Sequence, residues 1–382
     1  MQCKSKSIFA FSVAAVLAAT SANAIPRAPC DEPPADVCCE EPRPGPFAFA
    51  YPKDIGLACP TDFYIAAELL VFQAKQGGLD YAMVNTTGDQ NANTVSAANE
   101  SLTGGIVKGY SSDCSDWDWD IGARVNLGFY LNHDAWNFDI AWTYFHYTED
   151  TSSVAKGSSR MLPLWLVPQA FPAAGAGILG EREASAQWKM HYNTLDISLG
   201  KPHHVSRYVI FNPHFGLRAA WVDQCYLARY GGSFSNADGV TQLGSEMSAK
   251  NDFWGFGLRA GVQTEWLLGS GWTIFGNAAG SLLYSKFDID QSVPQGFLGY
   301  NVDNDFKQNI ANVELLLGIG WGTLFCKQQY RVSLRAAYEF HQWWNINHMR
   351  RFYSSTNWSA NETVARGDLT LNGLSFRVMF DF

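Results

Sequence analysis

Leu374-Ser375-Phe376-Arg377-Val378-Met379-Phe380-Asp381-Phe382 ends the chain. Side chains on a strand alternate between its two faces, so Leu374, Phe376, Val378, Phe380 and Phe382 share one face and Ser375, Arg377 and Asp381 the other. A soluble sandwich could use such a strand, with its apolar face in a core. In a transmembrane barrel the apolar face meets lipid, the polar face lines the lumen and aromatic residues mark the interfaces.

Working back from this stretch, the same alternation recurs. Trp254, Phe256, Leu258, Ala260, Val262, Thr264 and Trp266 oppose Gly255, Gly257, Arg259, Gly261, Gln263 and Glu265. Aromatics at both ends of that apolar band suit two membrane interfaces. Ile121, Ala123, Val125, Leu127 and Phe129 oppose Asp120, Gly122, Arg124, Asn126 and Gly128, and the turn Leu131 to Asp134 leads to Trp136, Phe138, Ile140, Trp142 and Tyr144. So short a connection makes an antiparallel hairpin.

Further strands are expected at Asp62–Ala74, Trp188–Gly200, Arg207–Asp223, Trp272–Phe287, Asn309–Gly322 and Tyr330–Phe340. In Trp188–Gly200 the apolar phase slips at Asn193-Thr194, which reads as a β-bulge. The fold expected is all-β: an antiparallel transmembrane β-barrel of ten strands, with short periplasmic turns and long extracellular loops. The loops are expected at Lys75–Asp116, Thr148–Gln187, Gln224–Asn251, from Phe287 to Lys307 and at His341–Leu371. Strands hidden in them would raise the number to twelve or as many as fourteen.

Composition agrees. Only 16% of residues are charged, 14% are aromatic and glycine is frequent. Lys4 and Lys6, the apolar run Ile8–Ala19 and Ala22-Asn23-Ala24 read as a secretory signal peptide over residues 1–24. No later run reads as a spanning helix: Met161–Gly180 is uncharged but interrupted by Pro163, Pro168 and Pro172. That segment is too apolar to lie free in water and is expected to fold into the lumen as a constriction, the alternatives being that it caps the rim or touches a partner. Residues 25–61 form a Pro/Cys-rich periplasmic segment, and 62–382 the barrel.

Several segments resemble the pore-forming outer-membrane proteins of the chlamydia-like and legionella type, the family similar to the major outer membrane protein. They are Asp62-Phe63-Tyr64-Ile65-Ala66-Ala67-Glu68, Gly122 to Phe129, Asn212 to Trp221, Asn251 to Gly261 and Gly276-Asn277-Ala278-Ala279. The resemblance spans nearly the whole mature chain. It implies a porin-like barrel in the bacterial outer membrane and a cysteine-crosslinked envelope. The terminal Phe382 also resembles the last-strand signal read by the outer-membrane assembly machinery.

The inward, pore-lining positions expected are Glu68, Asp120, Arg124, Asp139, Lys189, Arg218, Arg259, Glu265, Glu314, Arg331, Arg335, Glu339 and Arg377, with Asp196 and Asp381. Their charges balance, so they suit either an open pore whose charges tune selectivity or a plugged barrel filled by cross-strand pairs. The cysteines Cys30, Cys38, Cys39, Cys59, Cys114, Cys225 and Cys326 are disulfide candidates in an oxidising compartment. Cys114 and Cys225 fall on the outer side and the other five on the periplasmic side. Five is odd, so one periplasmic thiol is left for linkage to a second copy or another envelope protein, unless the set is reduced or locally paired.

No metal or cofactor is expected, since vicinal Cys38-Cys39 lacks zinc-ligand spacing. Neither is an enzyme: His146, Glu149 and Asp223 near the outer strand ends read as solvated rim residues, and nucleophile-elbow and zinc-protease motifs are absent. No basic stripe points to nucleic acid. The function expected is passive diffusion of small hydrophilic solutes and ions, with membrane lipid and the assembly machinery as partners. The alternative is a plugged structural or adhesive barrel acting through its loops.

Overall fold

The computed structural model describes residues 63–85, 105–109, 118–131, 136–154, 160–165, 183–235, 241–294, 300–325, 330–354, 360–364 and 367–382. The signal peptide, the Pro/Cys-rich segment and Cys30, Cys38, Cys39, Cys59, Cys114 and Cys326 lie outside them.

Among the described residues sixteen strands follow in order: β1 Phe63–Gln76, β2 Asp80–Asn85, β3 Gly105–Gly109, β4 Asp120–Leu131, β5 Trp136–Val154, β6 Arg160–Pro163, β7 Glu183–Gly200 and β8 His203–His204. Then come β9 Val209–Ser235, β10 Thr241–Gly269, β11 Trp272–Val293, β12 Tyr300–Phe325, β13 Tyr330–Asn347, β14 Arg350–Ser354, β15 Ala360–Val364 and β16 Gly367–Asp381. Ten of them build the wall in the order β10-β11-β12-β13-β16-β1-β4-β5-β7-β9, and β9 pairs with β10 to close it. All these pairs are antiparallel, including β1 with β16, where Glu68 stands opposite Arg377. The last residue joins the seam: the Phe382 amide donates to the Phe63 carbonyl at 3.0 Å.

Alternation decides which face meets lipid. On β10 the even-numbered side chains point out; Leu258, at 71% exposure, is the extreme, and Trp254, Phe256 and Trp266 are also exposed. Closure leaves no unpaired edge in the hydrocarbon, the condition for spanning a bilayer with strands. The β10–β11 connection is a two-residue turn in which Ser270 and Gly271 both have positive φ, 53° and 81°. That geometry matches strand twist. Gly128 serves a different need: a Cβ there would lie 2.1 Å from the Tyr64 ring, which occupies the lumen beside it.

Three expectations are corrected. Two regions expected as loops, Gln224–Asn251 and the stretch from Phe287 to Lys307, are largely strand among the described residues: β9 and β10 run 27 and 29 residues, and β11 and β12 run 22 and 26. About 9–11 residues suffice to cross the hydrocarbon, so the hairpins continue well past the outer interface. There the outward face meets water instead of lipid, so the one-sided apolar pattern that marks a membrane strand fades, while the inward face, with Tyr226, Tyr230, Met247 and Val293, stays buried. Second, β7 carries no bulge at Asn193-Thr194, because its register against β5 and β9 is unbroken. Trp188, Met190 and Tyr192 are buried inside the barrel while Leu195 and Ile197 face out. Third, Lys189 therefore points outward, its register partners being Thr148 and Cys225.

The buried apolar core lies inside the barrel's outer half. It joins wall residues such as Phe72, Phe145, Trp188, Tyr226, Phe253 and Phe287 to Leu79, Tyr81 and Trp165 from inserted segments. A small sheet, β3-β2-β6, and a hairpin, β14-β15, accompany the wall.

Candidate functional site in the lumen

Inward positions on the inner half of the wall carry charge. The strand order places β9 three strands from β12, and β4 three from β13, so contacts between them run across the lumen. Arg218 on β9 is 2% exposed. It holds Asp196 through two bonds of 2.6 Å, Asn312 at 2.7 Å and, across the lumen, Glu314. Glu314 also takes Arg259 at 2.8 Å. Arg124 on β4 reaches Glu68 at 2.7 Å and, across to β13, Glu339 at 2.9 Å. His341 joins the two clusters, 3.3 Å from Glu314 and 3.0 Å from Glu339.

Nearer the periplasmic turns, Arg335 meets Glu265 at 2.9 Å, Arg377 approaches Glu68 at 3.5 Å and Tyr64 donates to Asp139 at 2.7 Å. Arg331 and Asp381 stand opposite each other in register. Asp120, at the outer end, accepts from the Thr148 amide at 3.1 Å. Of the thirteen positions named from sequence, twelve face the interior and Lys189 does not. What sequence could not give is their pairing, which depends on strand order and register.

Above this layer the lumen changes character. Trp343 lies under the Arg218 guanidinium, 6.0 Å from it, and against Tyr192 and Phe253 at 6.0 and 6.1 Å. Phe253 in turn packs on Phe287 at 5.1 Å. Inserted backbone docks on this wall through side chains that satisfy it. Tyr226 donates to the Leu79 carbonyl at 2.9 Å and Tyr230 to that of Tyr81 at 2.7 Å, while Asn251 donates across the wall to the Ile346 carbonyl of β13 at 2.8 Å.

The described part of the apolar Met161–Gly180 segment belongs here: Trp165 is buried against Tyr226 and donates to the Asp80 carbonyl at 2.8 Å. Sequence reasoning missed the extent of this packing. The signal was there in inward positions that are apolar on strands whose outward positions are apolar too, such as Leu70 and Phe72 on β1.

The rim residues do not converge. His146 and Asp223 project outward, while Glu149 lies on the inward set and accepts from Tyr147 at 2.7 Å. Cys225 faces outward on β9, opposite Lys189 and Lys250 in register.

Among solved structures, the chain is similar to the outer membrane protease OmpT from Escherichia coli, at 12% identity over 85% of this chain and 97% of that one, with a TM-score of 0.39. It is also similar to a Pseudomonas aeruginosa FadL homologue, at 10% identity over 84% and 89%, TM-score 0.30. The P. putida toluene transporter TodX follows at 9% identity over 84% and 90%, TM-score 0.25. No curated protein matches the chain. The family model described as Legionella pneumophila major outer membrane protein precursor matches residues 60–382, so this closed ten-stranded barrel belongs to that outer-membrane protein family and resides in the bacterial outer membrane.

Proposed function

We propose that this outer-membrane barrel passes small ions and hydrophilic solutes by passive diffusion, through a lumen shut until its cross-lumen ion pairs exchange partners. One observation carries the reading: the inner half of the lumen is ionic. Buried ion pairs stabilise a fold no better than well-packed apolar side chains, and the outer half of the same barrel is packed with aromatics. A barrel that needed only to be filled could use such packing throughout. Instead Arg218 is shared between Asp196 and Glu314, and Arg124 between Glu68 and Glu339. Each arginine can release the far carboxylate and keep the near one, which opens a charged path without leaving a buried charge unpaired. No catalytic step is assigned to the barrel on this reading. The periplasmic cysteines tie it to other envelope components.

The competing reading is a sealed structural barrel acting through its outer hairpins, and the aromatic layer around Trp343 favours it. Planar-bilayer recording separates the two. Brief, small conductance steps are expected from the purified protein. Glu314→Gln with Glu339→Gln should lengthen the open periods and move ion selectivity away from cations. Silence from both proteins, each folded by its heat-modifiable electrophoretic shift, leaves the structural barrel.

A further inference from the structure

Just beyond the outer aromatic level, marked by Trp221 and Trp254 facing each other in register, two histidines meet on the outside of the wall. His146 on β5 and His191 on β7 are directly opposite, and their ring centroids are 4.5 Å apart at an interplanar angle of 56°. Both are half-buried and belong to the outward sets of their strands. The register row continues through Asp223, Asp252, Asp288 and Asp305, which gives this level of the wall a negative field toward cations. Lys189 and Lys250 lie one row further out, and Lys286 pairs with Asp305 at 3.0 Å.

We propose that His146 and His191 form a surface site for a divalent transition metal of the nickel, copper or zinc class. Directly opposed strand residues hold their Cβ atoms about 4.5–5.5 Å apart. Imidazole nitrogens bind such metals at about 2.0–2.1 Å, so one ion fits between the two rings after modest rotations about χ. Imidazole selects this class over magnesium and calcium, which prefer oxygen. Asp223, the register neighbour of His191 on the adjoining strand, adds negative charge beside the pair, and water completes the shell. The ion would tie β5 to β7 at the level where the wall leaves the membrane.

The test uses the protein extracted from outer membranes in detergent, freed of metal with chelator and titrated calorimetrically with NiCl2. Saturable uptake is expected, weakened about tenfold or more by His146→Gln or His191→Gln and abolished by both. Glu246→Gln, which removes an exposed carboxylate paired with Arg229 on the outer hairpin and outside this row, should leave it unchanged. Independently of any variant, bound Cu2+ should show electron-paramagnetic couplings to two nitrogens. Failure of the wild type to take up Ni2+ saturably, retention of uptake by the double histidine variant, or a copper signal without two nitrogens would each overturn the site.

Discussion

Replacing Arg218 with Met keeps much of the side chain's volume against Trp343 and removes its charge from the centre of the inner layer. The losses are unequal. Glu314 retains Arg259 at 2.8 Å and His341 at 3.3 Å, and Asn312 retains the Gln342 carbonyl at 3.1 Å as acceptor. Asp196 loses both bonds of 2.6 Å. Leaving one partner of a buried pair uncompensated costs about 3–5 kcal/mol, and the upper part of that range is expected here because Arg218 is almost fully enclosed. Urea unfolding in lipid vesicles, followed by tryptophan fluorescence, would measure it. Adding Asp196→Asn should recover part of the loss, since the orphaned charge goes. A loss below about 1 kcal/mol, the size of a solvent-screened surface pair, would mean that water reaches Arg218 and that the lumen is open at its level, refuting the shut state.

Trp343→Ala should cost about 3–5 kcal/mol as a cavity in the aromatic layer and lengthen open periods in bilayer recordings, because the same side chain separates the outer packing from Arg218. Leu258→Arg, on the lipid face, should destabilise the folded barrel by about 2–4 kcal/mol near the midplane, whereas Asp252→Asn, six residues outward on the same face, should change stability little; vesicle unfolding midpoints compare them. Gly128→Ala should lower folding yield, as its Cβ meets the Tyr64 ring at 2.1 Å, and Tyr64→Ala in the same chain should restore it, read from the fraction of heat-modifiable band.

The barrel could be read from sequence because lipid imposes one-sided alternation. Where the inner face is polar, as on β10 and β16, inside and outside follow directly from the residues. Alternation separates two faces but does not name them when both are apolar. On β7, Trp188, Met190 and Tyr192 resemble a lipid-facing set, and reconciling them with Leu195 and Ile197 required a bulge that the unbroken register excludes. Lys189 was misplaced for the same reason. The stretches beyond the membrane failed differently: Gln224–Asn251 has the composition of a loop, although the backbone of Gln224–Ser235 and Thr241–Asn251 stays in the ladder. The ion-pair partners could not be read because Arg218 and Glu314 are 96 residues apart and meet only once the sheet closes.

The two-part lumen follows from the barrel's width. Eight strands leave an interior that wall side chains fill, and ten leave more. In the inner half, long arginines and glutamates bridge that extra width from opposite walls. In the outer half the space is taken up by inserted backbone, whose amides and carbonyls need partners when buried. That need explains why the wall carries Tyr rather than Leu where the insert docks: Tyr226 and Tyr230 each pack and also bond to its carbonyls, and Trp165, from a second inserted segment, bonds to the Asp80 carbonyl. This packing begins at the level of Phe253, beside the outer Trp254, and continues up hairpins that extend beyond the bilayer. Displacing the insert would therefore expose its backbone to water and leave the lipid-facing ladder intact. Opening by that route costs aromatic burial and a few hydrogen bonds that water can replace, with no unpaired group left in hydrocarbon.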